Sequence, residues 1–263
     1  MIPDRDLALK KYSIIWIAIL TGVSPITAQA LYEHDYNDAH IEARGFLRSF
    51  ALQQKNPSSS AFYDQSSETG VAFLGRIMGE YRQGDQLRLE FNAYQTYIPA
   101  TLISRQGQFG APLDVERSAL LENSFSTKKY IYLAVYRLNL KWSQQRLDLT
   151  LGRQTINLAS TFFFTPNDFF APFSAQAFYR VFKPGVDGVR AEYRLSNLSF
   201  LEVLAVMGYA NDVQSTNGWA DYPDSELASY LFRGFVNFAD SGFGMFTGVI
   251  RDNPVVGASV QSE

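Results

Sequence analysis

Two histidines, His34 and His40, and no cysteine set the first limits on what this chain of 263 residues can do. Without thiols there is no cysteine nucleophile, no disulfide framework and no thiolate zinc site. Histidine-dependent hydrolysis needs the ring within hydrogen-bond reach of a serine or carboxylate in a shaped cleft. Both histidines fall before or at the first expected strand, outside any such context. The sequence also lacks a phosphate-cradling glycine loop and a zinc-ligand spacing. Asp221, Asp224 and Glu226 supply oxygen donors of the kind Ca²⁺ takes, and the same residues read equally as a solvated acidic loop. The expectation is a protein that is not an enzyme and needs no cofactor or metal.

The chemistry-bearing residues that recur at an ordered spacing are cations. Arg44, Arg48, Arg76, Arg82, Arg88, Arg137, Lys141, Arg146, Arg190, Arg194 and Arg233 fall on the polar side of a two-residue alternation, together with Glu42, Glu80, Glu90, Asp148 and Glu192. Eleven basic against five acidic side chains is a local excess inside a chain of net charge −3. Gathered round a low-dielectric passage, such an excess concentrates anions. Ladders in which each arginine is neutralised by a carboxylate would only fill space, and at this point both readings stand. A chain that is negative overall offers no footprint for nucleic acid.

These side chains must be positioned by strands. Leu87, Leu89, Phe91 and Ala93 alternate with Arg88 and Glu90. Tyr130, Tyr132, Ala134, Tyr136, Leu138, Leu140 and Trp142 share one parity, against Arg137, Asn139 and Lys141. Leu147, Leu149 and Leu151 oppose Arg146, Asp148 and Thr150, while Val189, Ala191, Tyr193 and Leu195 oppose Arg190, Glu192 and Arg194. Residues i and i+2 share a face in a strand and not in a helix. The pattern predicts nine strands, at 40–53, 69–82, 86–97, 129–142, 146–154, 187–195, 199–209, 228–238 and 243–251. Tight turns at 83–85, 143–145, 196–198 and 240–242 alternate with long connections near 54–68, 98–128, 155–186 and 210–227.

Most of these strands reach the about 9–11 tilted residues that cross a bilayer. Short turns alternating with long loops are the plan of an outer-membrane barrel. The predicted fold class is all-β: a transmembrane antiparallel up-and-down β-barrel, its apolar face against lipid and its charged face around a lumen. Composition permits this, at 46% hydrophobic, 15% aromatic and a mean hydropathy of −0.12. It leaves no room for a bundle of membrane helices.

At the N-terminus Lys10 and Lys11 precede an apolar run from Tyr12 to Val23, followed by Ala28-Gln29-Ala30. A basic start, a short apolar stretch and small residues predict a signal peptide over 1–30, cleaved after Ala30. Export to the outer membrane of a Gram-negative bacterium follows as the expectation. The strands and loops of the barrel would occupy 31–251, and 252–263 would open a further outer loop. Nine strands is odd, so the barrel is predicted to be incomplete.

The segment 155–186 carries Phe162, Phe163, Phe164, Phe169, Phe170, Phe173, Phe178 and Phe182. So many aromatic rings would not stand bare in water. They predict a loop folded into the lumen, presenting Asn167, Asp168, Arg180 and Lys183 at a constriction. Packing over the rim or against a neighbouring subunit is the alternative, which leaves a homo-oligomer open.

Two stretches bracket this loop. Leu151-Gly152-Arg153-Gln154 ends one strand, and Lys183-Pro184-Gly185-Val186-Asp187-Gly188-Val189-Arg190 begins the next. The pair resembles outer-membrane porin-like proteins, especially the alginate-export type of channel, over about 40 residues. The resemblance implies that Arg153, Gln154, Asp187 and Arg190 surround the narrowest part of a pore. Arg153 shares parity with Leu147, Leu149 and Leu151, so a bulge or strand end must re-aim it. The function expected is passage of small anionic solutes through a channel. The alternatives are a non-conducting barrel that anchors or sheaths a partner, and a soluble periplasmic β-protein.

Overall fold

The computed structural model describes residues 30–55, 67–99, 116–118, 121–126, 129–158, 169–170, 182–211, 220–238 and 241–262. The regular elements among them are β-strands: β1 (Ala30–Tyr36), β2 (Ala39–Lys55), β3 (Ser67–Gln83), β4 (Leu87–Pro99), β5 (Glu122–Ser126), β6 (Lys129–Gln144) and β7 (Leu147–Gln154). Then follow β8 (Val186–Arg194), β9 (Phe200–Val206), β10 (Tyr209–Asn211), β11 (Ala220–Pro223), β12 (Ser229–Phe238), β13 (Ser241–Ile250) and β14 (Asn253–Ser262). Eleven of them form one antiparallel sheet in chain order, β1-β2-β3-β4-β6-β7-β8-β9-β12-β13-β14; β5 adds to β6, and β10 pairs with β11 apart from the sheet.

The nine predicted strands are present, and the chain holds more. Apart from Ala30, which opens β1, the predicted signal peptide lies outside the described residues. The short connections 37–38, 84–86, 145–146 and 195–199 gather at one end of the sheet. The strands β2, β4, β7 and β9 end at the other, the long-loop end.

The C-terminal stretch corrects an expectation. Residues 252–263 were predicted to open an outer loop, yet Asn253–Ser262 is strand β14, paired along its whole length with β13. Arg251 and Asp252 both take left-handed φ values, 48° and 62°. Two such residues make the tight hairpin whose twist matches that of its strands. The long-loop end therefore carries one tight turn, and the alternation of loop lengths breaks there. Val256 and Val260 stand exposed on one side of β14, while Asn253, Gly257 and Ser259 occupy the other register positions. The alternation is present, but it is written in small residues.

A second correction concerns β6. Asn92 pairs with Arg137 and Ala93 with Val135, so Tyr136 is an extra residue in a β-bulge. A bulge reverses the parity of everything beyond it. Leu138, Leu140 and Trp142 are exposed on one face, whereas Ala134 and Tyr136 are buried on the opposite, charged one. The single face expected to run from Tyr130 to Trp142 is two half-faces joined at Tyr136.

The sheet does not close. β1 and β14 each keep one edge without a ladder, and both run from the long-loop end toward the tight-turn end. A cluster of buried apolar side chains lies on the charged face of β8, β9, β12 and β13. There Val186, Leu204, Val206, Leu231, Phe246 and Ile250 meet Ile156, Leu158 and Phe170 from the connection after β7.

Candidate functional site

The two faces of the sheet are inverted relative to a soluble domain. Leu47 is 67% exposed, Ile77 60%, Leu151 57% and Met245 61%, and they share a face with the exposed Leu89, Leu147 and Leu149. On the opposite face Arg76, Asn92, Asn139, Asp148 and Glu202 are buried.

Strand register sorts the charges on that second face into rows. His40, Arg82, Arg88 and Lys141 are direct cross-strand neighbours, and the row continues through Thr150 to Arg190. One pleat toward the long-loop end, about 7 Å away at the rise of a strand, Glu33, Glu42, Glu80 and Glu90 oppose one another. One pleat the other way Asp148, Glu192 and Glu202 do the same. Like charges directly opposed repel, so each row depends on the row beside it.

The ion pairs run between rows. Arg88 reaches Glu80 at 2.5 Å, Arg137 reaches Glu90 at 2.7 Å and Lys141 reaches Asp148 at 3.0 Å. Arg194 meets the same aspartate at 3.3 Å, and Arg190 holds Glu192 at 2.6 Å and Glu202 at 2.8 Å. Arg44 pairs with Glu42 and Arg82 with Glu80. In all of these pairs the cation is the more exposed partner, as with Lys141 at 38% against Asp148 at 11%. Carboxylates on short stems sit low between strands while the longer guanidinium and ammonium heads stand above them. The ladder exists, yet its more exposed groups are the cations.

Three further cations on this face, Arg76, Arg48 and Arg233, lean on aromatic rings. Arg76 lies 4.8 Å from the Tyr94 and Tyr136 ring centres and 4.2 Å from that of Phe182, and it donates to Asn92 Oδ1 at 2.6 Å. Arg48 sits over Phe46 and Arg233 over Phe200, an arrangement favoured by the negative face of the ring. Arg146 is exposed in a tight turn. A cleft opens between β4 and β8, lined by Arg88, Glu90, Arg137, Asn139, Lys141, Asp148, Thr150, Gln154, Thr155, Arg190 and Glu192.

The residues tied to the constriction separate into two groups. Gln154 and Arg190 face this cleft. Arg153 does not line it: the side chain is buried, gripping Asp187 through Nε–Oδ1 at 2.7 Å and Nη2–Oδ2 at 2.9 Å. It also donates to the carbonyls of Val135 and Ser118. Gly152 makes this possible, because its φ of +108° turns the strand just before Arg153. Asp187 accepts in turn from Ser118 N–H and from the Tyr209 hydroxyl. Burial, and next the Asp187 charge, push the Tyr209 phenol up to about 12. Lys183 is buried with Nζ donating to Ile156 O at 2.7 Å. Arg153, Asp187 and Lys183 thus tie down the roots of the long loops. Asn167, Asp168 and Arg180 lie outside the described residues.

Two features escaped the sequence reading. Glu202 belongs to the charged face and is almost fully buried; its place at period two with Leu204 and Val206 was hidden by the apolar neighbours Leu201 and Val203. Glu116, fully buried, pairs with Arg251 of the β13–β14 turn, 135 residues later, and no local pattern signals that. His40 pairs with Asp35 at 2.6 Å at the tight-turn end. Among the described residues no three His, Asp or Glu side chains converge on a metal position. No protein-family model matches the chain, and no curated protein or solved structure shows significant similarity to it.

Proposed function

We propose that this chain forms the wall of an outer-membrane β-barrel channel whose charged face lines a water-filled path for small, preferentially anionic solutes. The observation that carries the reading is the inversion of faces. A soluble sheet turns its leucines inward and its arginines outward, whereas here Leu47, Ile77, Leu151 and Met245 are exposed while Asp148, Glu202 and Arg76 are buried. An apolar surface of that extent requires hydrocarbon or a partner. The cationic heads standing above their carboxylates supply the preference for anions. Export through the N-terminal signal segment and the likeness of the 151–154 and 183–190 stretches to porin-like channels belong to the same proposal. Closure of the wall needs strand pairing beyond the eleven strands, because an open edge in lipid costs several kcal/mol per unpaired backbone group.

A second reading is a plugged barrel that anchors a partner, favoured by the packing of Ile156, Leu158 and Phe170 against the charged face. Planar-bilayer recording separates the two. The channel reading expects steady conductance, with a reversal potential in a salt gradient on the anion-selective side. Silence from protein shown to be inserted would favour the plug, and cation selectivity would refute the anion preference.

A further inference from the structure

The charged face is not uniform around the sheet. The cation row passes from Arg88 through Lys141 and Thr150 to Arg190, and its next two cross-strand members are Leu204 and Leu231. Both leucines are almost fully buried, as is Ser229 one pleat above them. What covers them is the segment just after β7: Ile156, Leu158 and Phe170 close over this side, and Phe169 meets Phe246 edge-on with ring centres 6.0 Å apart. The cleft lies wholly on the other side, its described lining drawn from β4, β6, β7, β8 and Thr155. Arg190 stands at the border. It lines the cleft, and it reaches across to the buried Glu202 of β9.

We propose that the lumen is divided lengthwise: water and solutes occupy the β4–β8 side, and the β9–β13 side is dry. Solute selectivity then resides in Arg88, Lys141 and Arg190, while Arg233, turned onto the Phe200 ring, takes no part in it. The physical reason is the cost of wetting. Opening the second side would expose the apolar cluster to water, a transfer that is unfavourable in proportion to the apolar surface wetted, and would strip Glu202 of its enclosure beside Arg190. The proposal rests on the reading of the charged face as a lumen, and a control position tests that reading by itself.

The native chain has no cysteine, so single cysteines can be placed without background. In protein inserted into lipid vesicles, a membrane-impermeant thiosulfonate bearing a sulfonate group is added and labelling is followed by mass. Thr150→Cys and Lys141→Cys are expected to label at least tenfold faster than Leu204→Cys and the near-isosteric Ser229→Cys. Modification of Lys141→Cys is expected to cut the single-channel current at least twofold. Labelling of Ser229→Cys and Leu204→Cys as fast as Thr150→Cys would overturn the division. Rapid labelling of Leu149→Cys, on the opposite face, would instead overturn the lumen reading. Should the current be absent from unmodified protein, the channel reading falls, and the labelling contrast still decides whether one side is dry.

Discussion

Arg153 and Asp187 are directly opposed in the β7–β8 ladder and joined by two hydrogen bonds, Nε–Oδ1 at 2.7 Å and Nη2–Oδ2 at 2.9 Å. The fork of a guanidinium matches a carboxylate in this way, and a lysine could not replace it. Removing one partner leaves the other as a buried, uncompensated charge, which costs about 3–5 kcal/mol. Asp187→Asn and Arg153→Ala are each expected to lower unfolding stability in urea by about 3 kcal/mol or more. Because Arg153 lies off the cleft, ion selectivity of the molecules that remain folded is expected to stay unchanged. A selectivity change without a stability loss would place the pair in the path after all.

Gly152 has a narrower role that can be isolated. Its φ is +108°, and a Cβ there would sit 2.4 Å from the Leu138 carbonyl oxygen. Gly152→Ala must therefore move backbone, and a loss of about 2 kcal/mol or more is expected, beyond the usual left-handed penalty of an L residue. Gly84 makes the internal comparison: its φ is +52° with nothing within 4 Å. Gly84→Ala is expected to cost about 1 kcal/mol. Equal losses at the two sites in urea titrations would show that close approach is not what selects glycine at 152.

The two faces of a single strand should respond oppositely to charge. Leu149→Arg places a cation on the exposed apolar face, where an outer-membrane barrel pays about 2–4 kcal/mol at mid-depth. Thr150→Arg adds one to the cation row, where the proposed lumen holds water. The expected result is a large drop in folded yield in vesicles for the first and a near-normal yield for the second. Equal yields would remove the distinction between the faces.

Tyr209 gives a test in alkali. Its hydroxyl donates to Asp187 Oδ2 at 3.2 Å, and its folded pKa is raised to about 12 from 10.0. A raised folded pKa means that the stabilisation is fully present below pH 10, the unfolded value, and is lost as pH climbs through about 12. Ultraviolet difference titration of the parent against Tyr209→Phe is expected to show one phenol ionising near the upper figure. A difference spectrum centred at 10 would mean that the hydroxyl faces water.

Much of the architecture was legible because period two is a direct imprint of the pleat. Wherever large apolar residues alternate with charges, as in Leu87–Glu90 or Leu147–Thr150, strand and faces could be read together. β14 was missed because Gly257, Ala258 and Ser259 carry almost no contrast in hydropathy, although Val256 and Val260 keep the period. The parity reversal in β6 was hidden because Tyr136 is apolar enough to pass as a member of either face, and a bulge changes the count of residues without changing their type. The cation rows were half legible. Parity gave the face of each arginine, but only the register between strands places Arg82, Arg88 and Lys141 side by side with a glutamate row above them. Contacts such as Glu116 with Arg251 depend on how the loop connections fold back, and nothing in either local sequence encodes that.

In the proposed channel the face of Leu149 meets hydrocarbon and that of Thr150 meets water, and depth-sensitive quenching reads this without requiring current. A fluorophore on Leu149→Cys and one on Thr150→Cys, each in protein inserted into vesicles, can be exposed to lipid-borne spin labels and to aqueous iodide. The expected result is quenching of the Leu149 site by the lipid-borne label alone and of the Thr150 site by iodide. The reverse assignment, or iodide reaching both sites equally, would contradict the account.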